Sequence, residues 1–220
     1  MVRKIGQKIV DAAVSGPGVT PAPPPEVVHM HERLERPPAL TGTTYKIQTP
    51  LSEHSLYVTI NDIILNEGTE HELRRPFEIF INSKNMDHFQ WIVALTLIMS
   101  AVFRKGGDVT FLVEELHSVF DPRGGYLKKG GRFVPSLVAE IGDVLETHLR
   151  AIGILTDEPD EHRARYLAEK RAAAEAAGQA GAGENGFPVT TEICAKCRMK
   201  AVIYLEGCLT CLACGDSRCG

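Results

Sequence analysis

The chain has 220 residues and a formal net charge of −4, room for one ordinary domain plus appendages and too acidic for a general nucleic-acid binder. Its longest uncharged apolar stretch, Trp91–Phe103, is too short to cross a bilayer and reads as a buried core helix. The opening Met-Val-Arg-Lys-Ile-Gly lacks the apolar segment of a secretory signal, so a soluble, cytoplasmic protein in a reducing compartment is expected, with no membrane partner.

Residues 1–42 form a proline-rich arm. Pro17, Pro21, Pro23, Pro24 and Pro25 make one cluster, and Pro37 and Pro38 another. Proline fixes φ and lacks an N–H donor, so the arm is expected to be extended and largely disordered. His29 and His31 inside it read as ordinary side chains rather than metal ligands.

Residues 43–155 read as a compact α+β domain, a short antiparallel meander packed on a three-helix core. Strands are expected at Thr43–Thr49, which stops at Pro50, at Ser55–Ile60 and at Pro76–Asn82, with a loop from Asn61 to Arg75. The third strand alternates, with Phe77, Ile79 and Ile81 on one face and Glu78, Phe80 and Asn82 on the other. Asp87 is placed to cap a helix from His88 to Lys105, apolar on most sides and therefore the central core helix, which Gly106-Gly107 ends. Asp108 caps a second helix, Val109–Phe120, with Phe111, Leu112, Leu116 and Val119 on one stripe. Turns at Asp121–Gly125 and Gly130-Gly131 precede a third helix opened by Pro135. Its stripe is Leu137, Val138, Ile141, Val144, Leu145, Leu149 and Ile152, all read as core.

Residues 156–189 change character. Asp157–Ala177 is helical by propensity but mostly alanine and charge, which predicts a solvated spacer. Gly178–Pro188 reads as a flexible linker spanning about 17–20 Å, so the module at residues 190–220 is expected to be flexibly tethered rather than packed.

That module holds all six cysteines of the chain: Cys194, Cys197, Cys208, Cys211, Cys214 and Cys219. Two C-x-x-C pairs a hairpin apart are the signature of a zinc ribbon, because four thiolates close a tetrahedral site. If the metal takes Cys194, Cys197, Cys208 and Cys211, then Cys214 and Cys219 remain as a C-terminal dithiol suited to thiol–disulfide exchange. That is the working assignment. Cys211-Leu-Ala-Cys214-Gly is an equally good second knuckle, since the glycine eases the turn, and it leaves Cys208 with Cys219. An all-disulfide module does not suit a chain without a secretory signal.

Tyr45-Lys-Ile-Gln-Thr-Pro50, Ser55-Leu-Tyr-Val-Thr-Ile-Asn61 and Arg75-Pro-Phe-Glu-Ile-Phe-Ile-Asn82 resemble the TSCPD domain of adenosylcobalamin-dependent (class II) ribonucleotide reductases. The ending from Glu206 to Gly220 is similar to the C-terminal end of those enzymes. The motif for which the domain is named is here Thr191-Glu-Ile-Cys194-Ala-Lys, keeping only its threonine and first cysteine. The resemblance implies a small accessory subunit beside a large catalytic chain that carries adenosylcobalamin. Such a subunit is part of an oxidoreductase but not catalytic alone, and the large barrel is absent here. It further implies that Cys214 and Cys219 relay reducing equivalents from thioredoxin or glutaredoxin, with Arg218 favouring the Cys219 thiolate. A zinc-ribbon adaptor binding a protein partner through the arm and the α+β domain is the alternative.

Overall fold

The computed structural model describes residues 27–31, 33–50, 53–84, 89–156, 161–177, 186–188 and 191–219. The fold is α+β, as expected. Strands β1 (Thr41–Ile47), β2 (Leu56–Leu65) and β3 (Leu73–Ser83) form an antiparallel meander in that order.

β2 and β3 run further than the sequence suggested, and the loop between them shrinks to residues 66–72. Two of the charges that made Asn61–Arg75 look like a loop are paired inside the sheet, where Arg74 Nη2 lies 2.8 Å from the buried Asp62 carboxylate. Ile63 and Leu65 meanwhile bury against Phe77. A bulge at Asn61/Asp62 leaves Phe77 between the paired residues Pro76 and Glu78. Strict alternation therefore fails there, and Phe77 and Glu78 are both buried. Glu78 is held by Arg36, at 2.8 and 2.9 Å, and by Asn61 at 2.8 Å.

The arm is only partly as expected. Residues 1–26 lie outside the described residues. From Met30 onward the chain packs on the sheet, with Met30, Leu34 and Leu40 against Ile63, Leu65 and Phe77. Apolar spacing among the polar residues of this segment outweighs its prolines.

Helix α1 (Phe89–Lys105) lies on β3. The Asp87 cap falls outside the described residues, and Gly106 and Gly107 end the helix with φ of 84° and 80°. α1 is not the buried central helix. It sinks Thr96, Met99, Ser100 and Phe103 but exposes Leu97, Ile98 and Trp91, the last 71% exposed. Ser100 Oγ accepts the Ile79 N–H at 3.0 Å, tying helix to strand.

Helix α2 (Phe111–Ser118) starts later than expected, because Asp108 accepts from the Thr110 N–H at 2.8 Å before the helix begins. It buries Val113 and Leu116, while Phe111 and Val119 are exposed. The glycine turns flank a small hairpin, β4 (Tyr126–Leu127) and β5 (Phe133–Val134). Helix α3 (Leu137–Ala151) is capped by Ser136, whose Oγ accepts the Ala139 N–H at 3.0 Å, so Pro135 stands just outside. The whole expected α3 stripe joins the core with Ile47, Val58, Ile60, Ile79, Met99 and Phe103. Beneath the sheet a buried polar chain runs from the Tyr45 hydroxyl to His148 Nδ1 (3.0 Å) and from His148 Nε2 to Asp62 (2.8 Å).

Helix α4 (Glu161–Ala176) is followed by a four-stranded antiparallel ribbon: β6 (Glu192–Ile193), β7 (Lys200–Leu205), β8 (Cys208–Cys211) and β9 (Ser217–Cys219). The ribbon is packed on both sides, which corrects the tethered picture. Ala174 buries against Ile203, Leu205 and Leu212. On the other side the Phe133 N–H donates to Arg198 O at 2.8 Å and the Lys200 N–H to Gly131 O at 2.7 Å.

Candidate functional site

The ribbon builds two C-x-x-C turns of the same local design. In the first, between β6 and β7, the Arg198 N–H donates to Cys194 O at 2.9 Å, and Arg198 has φ of 61°. In the second, after β8, the Gly215 N–H donates to Cys211 O at 2.8 Å, and Gly215 has φ of 77°. Each chain reversal is completed by a left-handed residue just after the second cysteine, a conformation glycine adopts freely.

These turns bring together Cys194, Cys197, Cys211 and Cys214, whose Sγ atoms all lie within 4.8 Å of one another. Cys194 Sγ is 3.7 Å from Cys214 Sγ, and Cys197 Sγ is 3.6 Å from Cys211 Sγ. A tetrahedral zinc with Zn–S bonds of about 2.3 Å sets its sulfurs about 3.8 Å apart, so the four side chains fit such an ion. Burial pushes the Cys211 thiol up to about 11 and raises Cys197 as well. At Cys194 burial also opposes ionisation, but the N–H groups of Cys197 and Lys196 outweigh it and lower the thiol. A cation at the centre would let four packed thiols ionise together.

The remaining two cysteines pair with each other. Cys208 and Cys219 are direct cross-strand partners on β8 and β9 and are joined by a disulfide, with Cα atoms 4.2 Å apart. The structure therefore exchanges two sequence assignments. Cys208, expected among the metal ligands, stands in the disulfide, and Cys214, expected to partner Cys219, stands in the four-sulfur group. The reason is local geometry. Cys208 and Cys211 lie three apart on an extended strand, which sends their side chains to opposite faces, whereas 211–214 is a turn. Arg218 beside Cys219 faces Asp216 at 3.7 Å.

Sequence reasoning missed that α4 belongs to this site. Arg163, Tyr166, Leu167, Lys170, Arg171 and Ala174 recur at helical spacing, and that face meets the ribbon. Gly215 sits beside α4, where an added Cβ would touch the Tyr166 ring at 3.4 Å. Lys170 Nζ reaches Glu206 at 2.5 Å, and the Arg171 guanidinium stands over the Phe187 ring at 5.6 Å. The i, i+3, i+4 pattern was legible in the sequence, although half its members are charged.

A second group, His117, Asp143 and Glu146, also gathers possible ligands. Arg132 Nη2 donates to Asp143 Oδ1 at 2.6 Å, and the same oxygen lies 2.7 Å from His117 Nε2. A guanidinium on that carboxylate makes the group an ion-pair node joining α2, α3 and the β4–β5 hairpin. An open cleft is lined by Glu53, His54, Ser55, Tyr57, Asn82, Ser83 and Lys84.

No helix among the described residues is long and apolar enough to cross a membrane. Comparison of the chain with curated proteins and with solved structures gives no match. The family model for the TSCPD domain matches residues 26–149, more than half of the chain, and stops short of the ribbon. The chain therefore belongs to the TSCPD domain family, a domain found in cobalamin-dependent ribonucleotide reductases.

Proposed function

We propose that this chain is an accessory subunit of a cobalamin-dependent ribonucleotide reductase, and that its redox pair is Cys208 and Cys219. The observation that carries the reading is the placement of that pair. It joins the half-buried Cys208 on β8 to Cys219 on β9, whose residues are all exposed, and it stands outside the group of four sulfurs that suit a structural metal. Thiol–disulfide exchange needs an accessible sulfur and a second thiol poised to resolve the mixed disulfide, and adjacent strands hold the two together.

In the reduced state the exposed Cys219 thiolate attacks a disulfide on the large subunit. One partner thiolate leaves, and a mixed disulfide forms. The Cys208 thiolate then attacks the Cys219 sulfur and releases the second partner thiol. Two electrons pass to the large subunit, and Cys208–Cys219 is left oxidised. Thioredoxin or glutaredoxin reverses that oxidation in the cytoplasm. Adenosylcobalamin belongs, in this reading, to the large subunit, and no residue of this chain is assigned to it. Zinc at Cys194, Cys197, Cys211 and Cys214 would hold the ribbon that presents β9.

The test is reconstitution with the large subunit and thioredoxin as the sole reductant. Cys208→Ser or Cys219→Ser should abolish turnover, and a small dithiol that enters the large subunit directly should restore it. Full thioredoxin-dependent turnover in both variants would sink the relay. The zinc-ribbon adaptor reading would then take over, supported by the apolar side chains Trp91, Leu97 and Ile98 that α1 leaves exposed.

A further inference from the structure

Helix α4 reaches the second C-x-x-C turn through two side chains. Arg171 Nε donates to Leu212 O at 3.0 Å, and Arg163 Nε donates to Cys214 O at 3.2 Å. The turn aims the N–H groups of Ala213 and Cys214 inward at the Cys211 sulfur. The Leu212 carbonyl, opposite the Ala213 N–H across one peptide plane, therefore points outward, and a carbonyl shielded from water needs a donor. The Cys211 carbonyl is taken by the Gly215 N–H, whereas those of Leu212 and Cys214 accept from the arginines.

α4 buries Ala174 and half-buries Tyr166, Leu167 and Ala173. Two guanidinium hydrogen bonds to the turn add to that contact. They are also charged. A divalent ion with four thiolates bears a double negative charge, and two cations beside the turn offset it.

We infer that Arg163 and Arg171 are positioning residues of the metal centre. They fix the second turn from outside and balance the charge of the metal–thiolate group, as outer hydrogen bonds tune metal ligands generally. This rests on the metal reading of the four cysteines.

The experiment uses the full chain loaded with zinc, with affinity read by competition against a chromophoric chelator. Cobalt loading adds the visible spectrum of the thiolate site. Arg163→Ala/Arg171→Ala should weaken zinc binding roughly tenfold and shift the cobalt bands. Arg163→Lys/Arg171→Lys, which keeps charge and donors, should recover most of the loss. Lys170→Ala removes the Lys170–Glu206 pair, which joins α4 to the turn between β7 and β8 without touching the cysteines. It should stay within about twofold of wild type, as exposed pairs contribute little. A double alanine variant that holds zinc like wild type overturns the inference, as does a Lys170→Ala variant that weakens binding equally. A wild-type chain that binds no metal overturns the metal reading itself, and this inference with it. Should the double variant not fold, Arg163→Gln and Arg171→Gln singly carry the same comparison.

Discussion

Asp62 on β2 and His148 on α3, distant in sequence, meet through a 2.8 Å contact between Oδ1 and Nε2, and neither is more than 1% exposed. Asp62 Oδ2 also accepts from Arg74 Nε at 2.9 Å, and His148 Nδ1 is bonded to the Tyr45 hydroxyl. The group ties sheet to helix across the core. Removing Asp62 takes the acceptor from both His148 Nε2 and the Arg74 guanidinium, and breaking a buried pair costs about 3–5 kcal/mol. Asp62→Ala should lower unfolding free energy by about that amount in a denaturant titration. A loss below about 1 kcal/mol, the worth of an exposed pair, would show that the contact contributes little.

Glu78 yields a pH signature. The hydrogen bond from Arg36 is the largest influence on its carboxyl and holds it below the ordinary value. A carboxyl lowered in the folded state stabilises above its unfolded value and loses that stabilisation as pH falls through its folded value. Wild type should therefore exceed Glu78→Gln in stability at neutral pH, and the gap should close in acid. Parallel stability curves for the two proteins down to strongly acidic pH would contradict this.

The cysteine roles separate by metal content. Elemental analysis of anaerobically purified protein should give one zinc per chain. Cys214→Ser should lose it and Cys208→Ser should keep it, the reverse of what the C-x-x-C spacing of Cys208 and Cys211 suggests. Zinc loss in Cys208→Ser with retention in Cys214→Ser would overturn the structural assignment.

The α+β unit should stand alone. Its core draws on Tyr45 through Leu155 and takes nothing from the ribbon. A fragment of residues 27–155 should unfold cooperatively with near-native helix content, although it loses the contacts of Gly131–Phe133 with Arg198–Lys200. An unfolded fragment would mean that the ribbon supports the core.

The sequence made the meander and the α3 stripe legible, because alternation and 3.6-residue spacing follow directly from burial on one face. The ends of β2 and β3 were hidden because Asp62 and Arg74 neutralise each other indoors, and a charge read along a sequence does not disclose its partner. α1 misled through its apolar surplus. Trp91, Leu97 and Ile98 share a helix with Met99 and Phe103, yet stay outside. At the ribbon, cysteine count and the first knuckle were plain. The second depended on which residues form strand and which form turn, and only Gly215 hinted at it.

α4 needs little from its neighbours to be helical. Alanine, arginine, glutamate and lysine dominate Glu161–Ala176, all strong helix formers. The ribbon, by contrast, must bring two separate turns together, which a bound ion would do by drawing their sulfurs to one point. The helix can thus form first and stand as a template, its arginines already spaced for the carbonyls of a turn not yet closed. Capture of an ion would then order a short loop against a ready-made wall, and less chain entropy would be lost at that moment than if the helix and the ribbon had to form together.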